Sequence, residues 1–281
     1  MAVSANIRII HDNAGDDATL SADAEVATLP VTHLQDPTRA RVWQTPDGTT
    51  AATISGDLPE LTVLSALALW RHNFSSQATW RLRVWDGAGQ SGTQLYDSGT
   101  VDALPPVALG DMEWGVTPLG ASAFAGWALA YSVLWFAPVT GRSFQLDLDD
   151  PGSSDGYLEA SRLFLGRYLQ PSVNLSWGHG LLWDEDTRQE RTDGGTLRSE
   201  AGIVYRRLTI ALEALQGQDR SKFQDLQRTV GLRRDLFVSV YPERGGTLER
   251  DYGFAAKIET PDPMKRPNPA YYRTGLTLVE A

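Results

Sequence analysis

Apolar side chains recur at every second residue along much of this chain, and that period excludes most helical architectures. In Thr79–Trp85 the residues Trp80, Leu82 and Val84 share one face, while Arg81 and Arg83 share the other. Leu67 and Leu69 alternate in the same way, as do Phe144, Leu146 and Leu148. Strict alternation is the pattern of half-buried antiparallel strands. Turn clusters separate the runs: Asp47-Gly48, Asp86-Gly87-Ala88-Gly89 and Asp149-Asp150-Pro151-Gly152. Short strands, regular turns and no long helix predict a β-sandwich up to about residue 170. Residues 103–130 break the pattern with Pro105-Pro106 and Leu119-Gly120-Ala121, yet carry Trp114, Phe124 and Trp127. They read as a long loop packed over the sandwich or against a neighbour.

A second domain is predicted from Pro171. Residues 1–170 hold nine Lys and Arg against 19 Asp and Glu, whereas residues 171–281 hold 16 of each. The net charge of −10 therefore lies wholly in the first part, and such a step marks a domain boundary. Seven of the nine Trp also precede it. Residues 1–170 are expected to fold alone. In the second part, residues 172–177, 181–191, 204–213, 236–241, 248–258 and 271–279 read as strands. Phe223, Leu226 and Val230 fall on one helical face, with Asp219 as the expected cap and Gly231 as the stop. The prediction is an antiparallel β domain with one short helix. Its four-proline stretch, 261–269, reads as a loop or contact arm.

The same composition excludes several functions. Without Cys there is no disulfide framework, thiolate metal site or Cys nucleophile. The acidic balance argues against nucleic-acid binding, which needs a basic face. The N-terminus lacks the basic and apolar regions of a signal peptide, and the longest apolar run, 131–139, is too short to cross a bilayer. His11, His33, His72 and His179 are too dispersed for metal-ligand spacing, and no nucleophile-elbow, P-loop or dinucleotide motif occurs. Asp147, Asp149 and Asp150 read as a solvated turn rather than a calcium loop. Asp184, Glu185, Asp186 and Glu190 read as a charged hairpin rather than the carboxylate pair of a glycosidase. No enzymatic activity, metal or cofactor is expected.

Residues 29–43, LPVTHLQDPTRARVW, resemble the opening of galactose-binding-like (discoidin, F5/8 type C) domains, in which a loop leads into a Trp-bearing strand. Leu58-Pro59, the strand ending Trp70-Arg71-His72-Asn73, Thr79–Trp85 and residues 131–138 and 142–148 are similar to the later strands. The resemblance spans about 25–170 and implies a jelly-roll sandwich. Pro37 follows Asp36 where the family's calcium loop often has Gly. Loops near Trp43 and near Arg71, His72 and Asn73 make these four residues carbohydrate-binding candidates, by stacking and hydrogen bonding. A Trp in such a strand is more commonly a core residue.

Residues 171–281 resemble the ring-forming domain of distal tail proteins from phages with long, non-contractile tails. The shared order is a Trp-bearing strand, a hairpin, a strand, a short helix, an apolar strand ending Tyr241-Pro242 and a closing strand pair. Residues 64–73, LWFAP at 134–138 and YLEASRLFLG at 157–166 extend the likeness to tail and baseplate proteins with a discoidin-like first domain. The resemblance implies a virion structural protein at the tail tip, forming a homo-oligomeric ring, in that family a hexamer. Its partners would be the tail tube protein and the baseplate hub or tail fibre proteins, with no nucleic acid and no membrane insertion. The alternative reading is a carbohydrate-binding module that attaches to host surface glycan.

Overall fold

The computed structural model describes residues 6–107, 110, 112–118 and 120–281. Part of the 103–130 stretch, at positions 108, 109, 111 and 119, lies outside the described residues. The fold is mainly β and its strand pairs are antiparallel. Two compact units form: residues up to Gln170 together with Leu236–Ala255, and Pro171–Asp235 together with Ala256–Ala281. The second unit thus differs from the 171–281 domain read in the sequence, because 236–255 pack with the first.

The first unit contains β1 (Arg8–Asn13), β2 (Thr19–Ala22), β3 (Trp43–Gln44), β4 (Ala51–His72), β5 (Thr79–Trp85), β6 (Gln94–Asp97), β7 (Val101–Asp102), β8 (Tyr131–Asp149) and β9 (Glu159–Leu169). Long β4 and β8 organise it. The first half of β4 pairs with β2 and with the 143–149 segment of β8, which in turn pairs with β5. The second half of β4 pairs with β9 and with the start of β8. The β4–β8 register shifts between Asp57 and Thr62, beside Pro59, which has no N–H for a ladder. Inward residues from both halves, among them Ile54, Leu67, Leu69, Trp80, Leu82, Phe144, Leu146 and Leu165, form one core. Trp80 and Leu82 face inward, as their alternation predicts.

The other face of the β4–β9 region is also buried. Tyr131 lies near Phe124, Trp70 and Phe237, and Phe237 also meets Phe164 and Trp135. Phe124 anchors the irregular 121–130 stretch onto this face, and the Tyr131 hydroxyl donates to the Glu249 carbonyl at 2.7 Å.

The second unit contains β10 (Gly180–Glu185), β11 (Arg188–Arg191), β12 (Leu197–Glu200), β13 (Val204–Leu215) and α1 (Gly217–Val230). The chain continues through β14 (Asp235–Ser239), α2 (Gly246–Asp251), β15 (Gly253–Pro261) and β16 (Tyr272–Glu280). Strand β14 pairs with β1 in the first unit. In the second unit β13 lies between β10 and β16, and β16 continues to the 256–261 part of β15. Strands β11 and β12 make a separate exposed ribbon. Helix α1 buries Phe223, Leu226 and Val230, and Gln227 reaches Thr274 on β16.

Three local readings change. Residues 172–177 are not a strand, because the Ser172 N–H and hydroxyl both donate to the Asp219 carboxylate. Asp219 consequently sits inside the first turn of α1 rather than at its cap, which is Gln216. The segment after Leu248 begins as α2, not as a strand. Gly245 and Gly246, at φ +72° and +67°, make a left-handed turn, and the Glu249 carboxylate accepts the N–H groups of Glu243 and Gly245.

Candidate functional site

Three segments of the first unit converge at one end of the sandwich: the corner after β4, the 125–128 stretch and the loop between β8 and β9. They line an open cleft of about 560 Å³, with Arg71, Asn73, Trp127, Asp155 and Glu159 among its walls. That volume falls within the usual range for a small-molecule site.

The corner is built by its polar side chains. Arg71, next to last in β4, has φ +52°, an uncommon conformation for a residue with a Cβ. Asn73 then clamps the corner to the opposite loop. Its amide nitrogen donates to Asp155 Oδ2 at 3.1 Å and to the Tyr157 carbonyl at 2.9 Å, and its Oδ1 accepts the Glu159 N–H at 2.9 Å. Beneath it, the Asp150 carboxylate accepts from the Ser75 N–H, the Ser75 hydroxyl and the Gly152 N–H. Asp150 is buried, so the solvated turn read in the sequence does not hold for it; Asp147, of the same acidic run, pairs with Arg83.

His72 is buried and stacks on Phe74 at 4.1 Å. Its Nδ1 accepts the Phe74 N–H, which leaves the proton on Nε2, 2.9 Å from the Ser132 hydroxyl. Burial holds its pKa down to about 3, so the ring is neutral. Trp127 is fixed by a turn from Phe124 and by the Arg250 guanidinium, 4.3 Å from the ring centroid. Arg250 itself is held by the Ala123 carbonyl and Asp251. Glu159 titrates above the usual carboxylate range because burial disfavours its charge, a shift that Arg71 opposes and Asp155 reinforces.

The four residues singled out in the sequence thus separate. Trp43 is fully buried in β3 against β9, so its ring cannot stack on a ligand. His72 lines the cleft from below with both ring nitrogens engaged. Asn73 shapes the cleft, with its amide taken up by the loop clamp. Arg71 lines the cleft. Trp127, Asp155 and Glu159 join it; the sequence marks Trp127 only as bulk in an irregular stretch and does not mark the two acids, since each lies in or beside an irregular loop. What this set can do chemically is stack an aromatic ring on a flat apolar surface while charged and neutral polar groups bond to hydroxyls.

A second cavity in the first unit, of about 360 Å³, is lined by Phe124, Tyr131, Trp135 and Glu249. Of its three acids, Asp102, Glu243 and Glu249, the last is occupied by the turn it stabilises. In the second unit, Asp184 pairs with Arg207, and Glu190 sits exposed on a different sheet.

No family model matches the chain, and no curated protein matches its sequence. Among solved structures the chain is similar to chitosan-binding module 1 of a chitosanase/glucanase from Paenibacillus sp. IK-5. Identity is 13% and the TM-score 0.41, over 56% of this chain and 100% of that one. A family 32 carbohydrate-binding module of C. perfringens NanJ, solved with galactose, gives 15% identity and a TM-score of 0.37 over 58% and 99% of the two chains. A GH29 fucosidase of Ruminococcus gnavus gives 14% identity and a TM-score of 0.37, over 56% of this chain and 27% of the fucosidase.

Proposed function

We propose that the first unit is a non-catalytic glycan-binding module and that the cleft at Arg71, Trp127, Asp155 and Glu159 is its site. The observation that carries this reading is a half-buried Trp127, backed by Arg250, sharing an open cleft with hydrogen-bonding side chains. The apolar face of a sugar ring packs on the indole, and its hydroxyls reach the guanidinium and carboxylates. The test is a glycan array on the full chain, followed by calorimetry with the best ligand. Trp127→Ala should weaken binding at least tenfold, about 1.4 kcal/mol, with an unchanged melting temperature. Absence of binding to any glycan, or full binding by the variant, overturns the reading.

A second reading concerns the second unit, as a structural subunit of a phage tail tip. The observation favouring it is a set of large apolar side chains on and around β10 and the ribbon: Leu182, Trp183, Leu197, Ile203 and Val204 are each about half exposed or more. Exposed apolar side chains mark interaction sites, and β10 is an edge strand open to further pairing. The two readings are compatible, with assembly through the second unit and attachment through the first. Light scattering across a concentration series tests it. A ring-sized oligomer supports it, whereas a monomer throughout that binds no tail component overturns it.

A further inference from the structure

The cleft's charge balance carries the argument one step further. Its cationic groups are few. Arg71 is one, and it acts on Glu159. His72 is neutral. Arg250 lies against Trp127 and pairs with Asp251. Its anionic groups are more numerous. Asp155 and Glu159 both line the cleft, and together with Asp47 they act on Tyr157 in the adjoining loop. Asp155 is exposed to solvent, and among the described residues it makes no ion pair. Its only hydrogen bond among the described residues comes from the neutral Asn73 amide. The surrounding sequence deepens the negative field, since residues 1–170 carry ten more acidic than basic side chains.

A sugar seated on Trp127 therefore meets a carboxylate that a neutral ligand leaves unbalanced and an acidic ligand opposes. We infer that the cleft selects a glycan bearing a protonated amine, with Asp155 receiving the ammonium group and Arg71 and Glu159 receiving hydroxyls. This rests on the glycan-binding reading of the same cleft. Ammonium to carboxylate is a charge-assisted hydrogen bond, stronger than any the amide or hydroxyl of a neutral sugar would make there. N-acetylation removes both the charge and two of its donors.

The experiment is calorimetry of the full chain with three probes of equal length: a glucosamine oligomer, its fully N-acetylated counterpart and a uronic acid oligomer. The glucosamine oligomer should bind at least tenfold more tightly than the acetylated one, the uronate should not bind, and added salt should weaken the first selectively. Asp155→Asn keeps an acceptor for Asn73, so the loop clamp survives, and its melting temperature should match the parent. It should nonetheless lose most of the preference for the amine. Glu60→Gln, at an exposed position outside the cleft lining, serves as the control for the general field and should leave the preference in place. Equal binding of amine and acetylated probes, tighter binding of the uronate, or equal losses in Asp155→Asn and Glu60→Gln would each overturn the charge inference while the glycan reading stands. Failure of all three probes together with a blank array removes the glycan reading itself.

Discussion

Arg206 and Glu280 form the most consequential single contact in the second unit. Both side chains are fully buried, and Glu280 accepts from the Arg206 backbone N–H and from Nε and Nη2, the last at 2.9 Å. Arg206 lies in the same alternating row of β13 as Leu208, Ile210 and Leu212, and Glu280 in the same row of β16 as Leu276 and Leu278. Each charge offsets the other inside, and the Arg206 guanidinium also lies over the Trp183 ring. Glu280→Ala should thus cost about 3–5 kcal/mol, by leaving a buried guanidinium uncompensated. Replacing both with apolar residues of similar volume should cost far less, and urea unfolding of the two variants distinguishes these outcomes. His72 makes a prediction in pH. Unfolded, it takes a proton near 6.5; folded, not until about 3. The unfolded state therefore binds more protons between those values. The stabilisation from the neutral ring is complete above 6.5 and is lost as pH falls toward 3, on the order of 5 kcal/mol in all. His72→Gln should remove that component, which appears as a shallower fall in stability with acid than in the parent.

At the scale of the element, β5 is the strand most fully legible in the sequence. Its alternation places Leu82 inside, opposite Leu146, and Arg83 outside, paired with Asp147. Leu82→Asp should destabilise by more than about 4 kcal/mol, because an unpaired carboxylate enters a packed core. Arg83→Ala should cost under about 1 kcal/mol, since its ion pair is solvent-screened. Thermal melts of the two variants check the contrast. Alternation was less informative where tertiary contacts decide the structure. Arg206 shares the inward row of β13, yet its burial depends on Glu280, 74 residues away. The start of α2 depends on one carboxylate reaching back to two N–H groups, which overrides a strand-like run of residues. The cleft was half legible for the same reason. Arg71 and Asn73 stand at a recognisable strand end, but the role of Asn73 as a clamp requires the loop from 155 to 159. Trp127 has no periodic neighbours to give it a face, and its orientation comes from Phe124 and Arg250.

For the whole molecule, chain order and structural unit part company. The break after Gln170 coincides with the step in charge, but the 236–255 segment returns to the first unit. There β14 supplies a ladder along β1, with Ile9 opposite Val238 and Ile10 opposite Phe237. Phe237 is fully buried and touches Tyr131, Trp135 and Phe164. A fragment of residues 1–170 therefore has every strand of the sandwich core but lacks the cover on its second aromatic face. Burying a Phe side chain contributes roughly 1.5–3 kcal/mol, and Leu236 and Val238, also fully buried, contribute comparable amounts. Such a sum is a large fraction of the stability of an ordinary domain. The fragment also leaves β1 as an open edge beside exposed aromatic rings, the arrangement that promotes association. The expectation is that residues 1–170 alone melt well below the first-unit transition of the full chain and bind a hydrophobic dye, while a fragment carrying 236–255 on a flexible linker after Gln170 recovers the transition and loses the dye signal. A cooperative, dye-silent melt of residues 1–170 at the full-chain temperature would show that β14 is dispensable and that the unit ends where the charge step does.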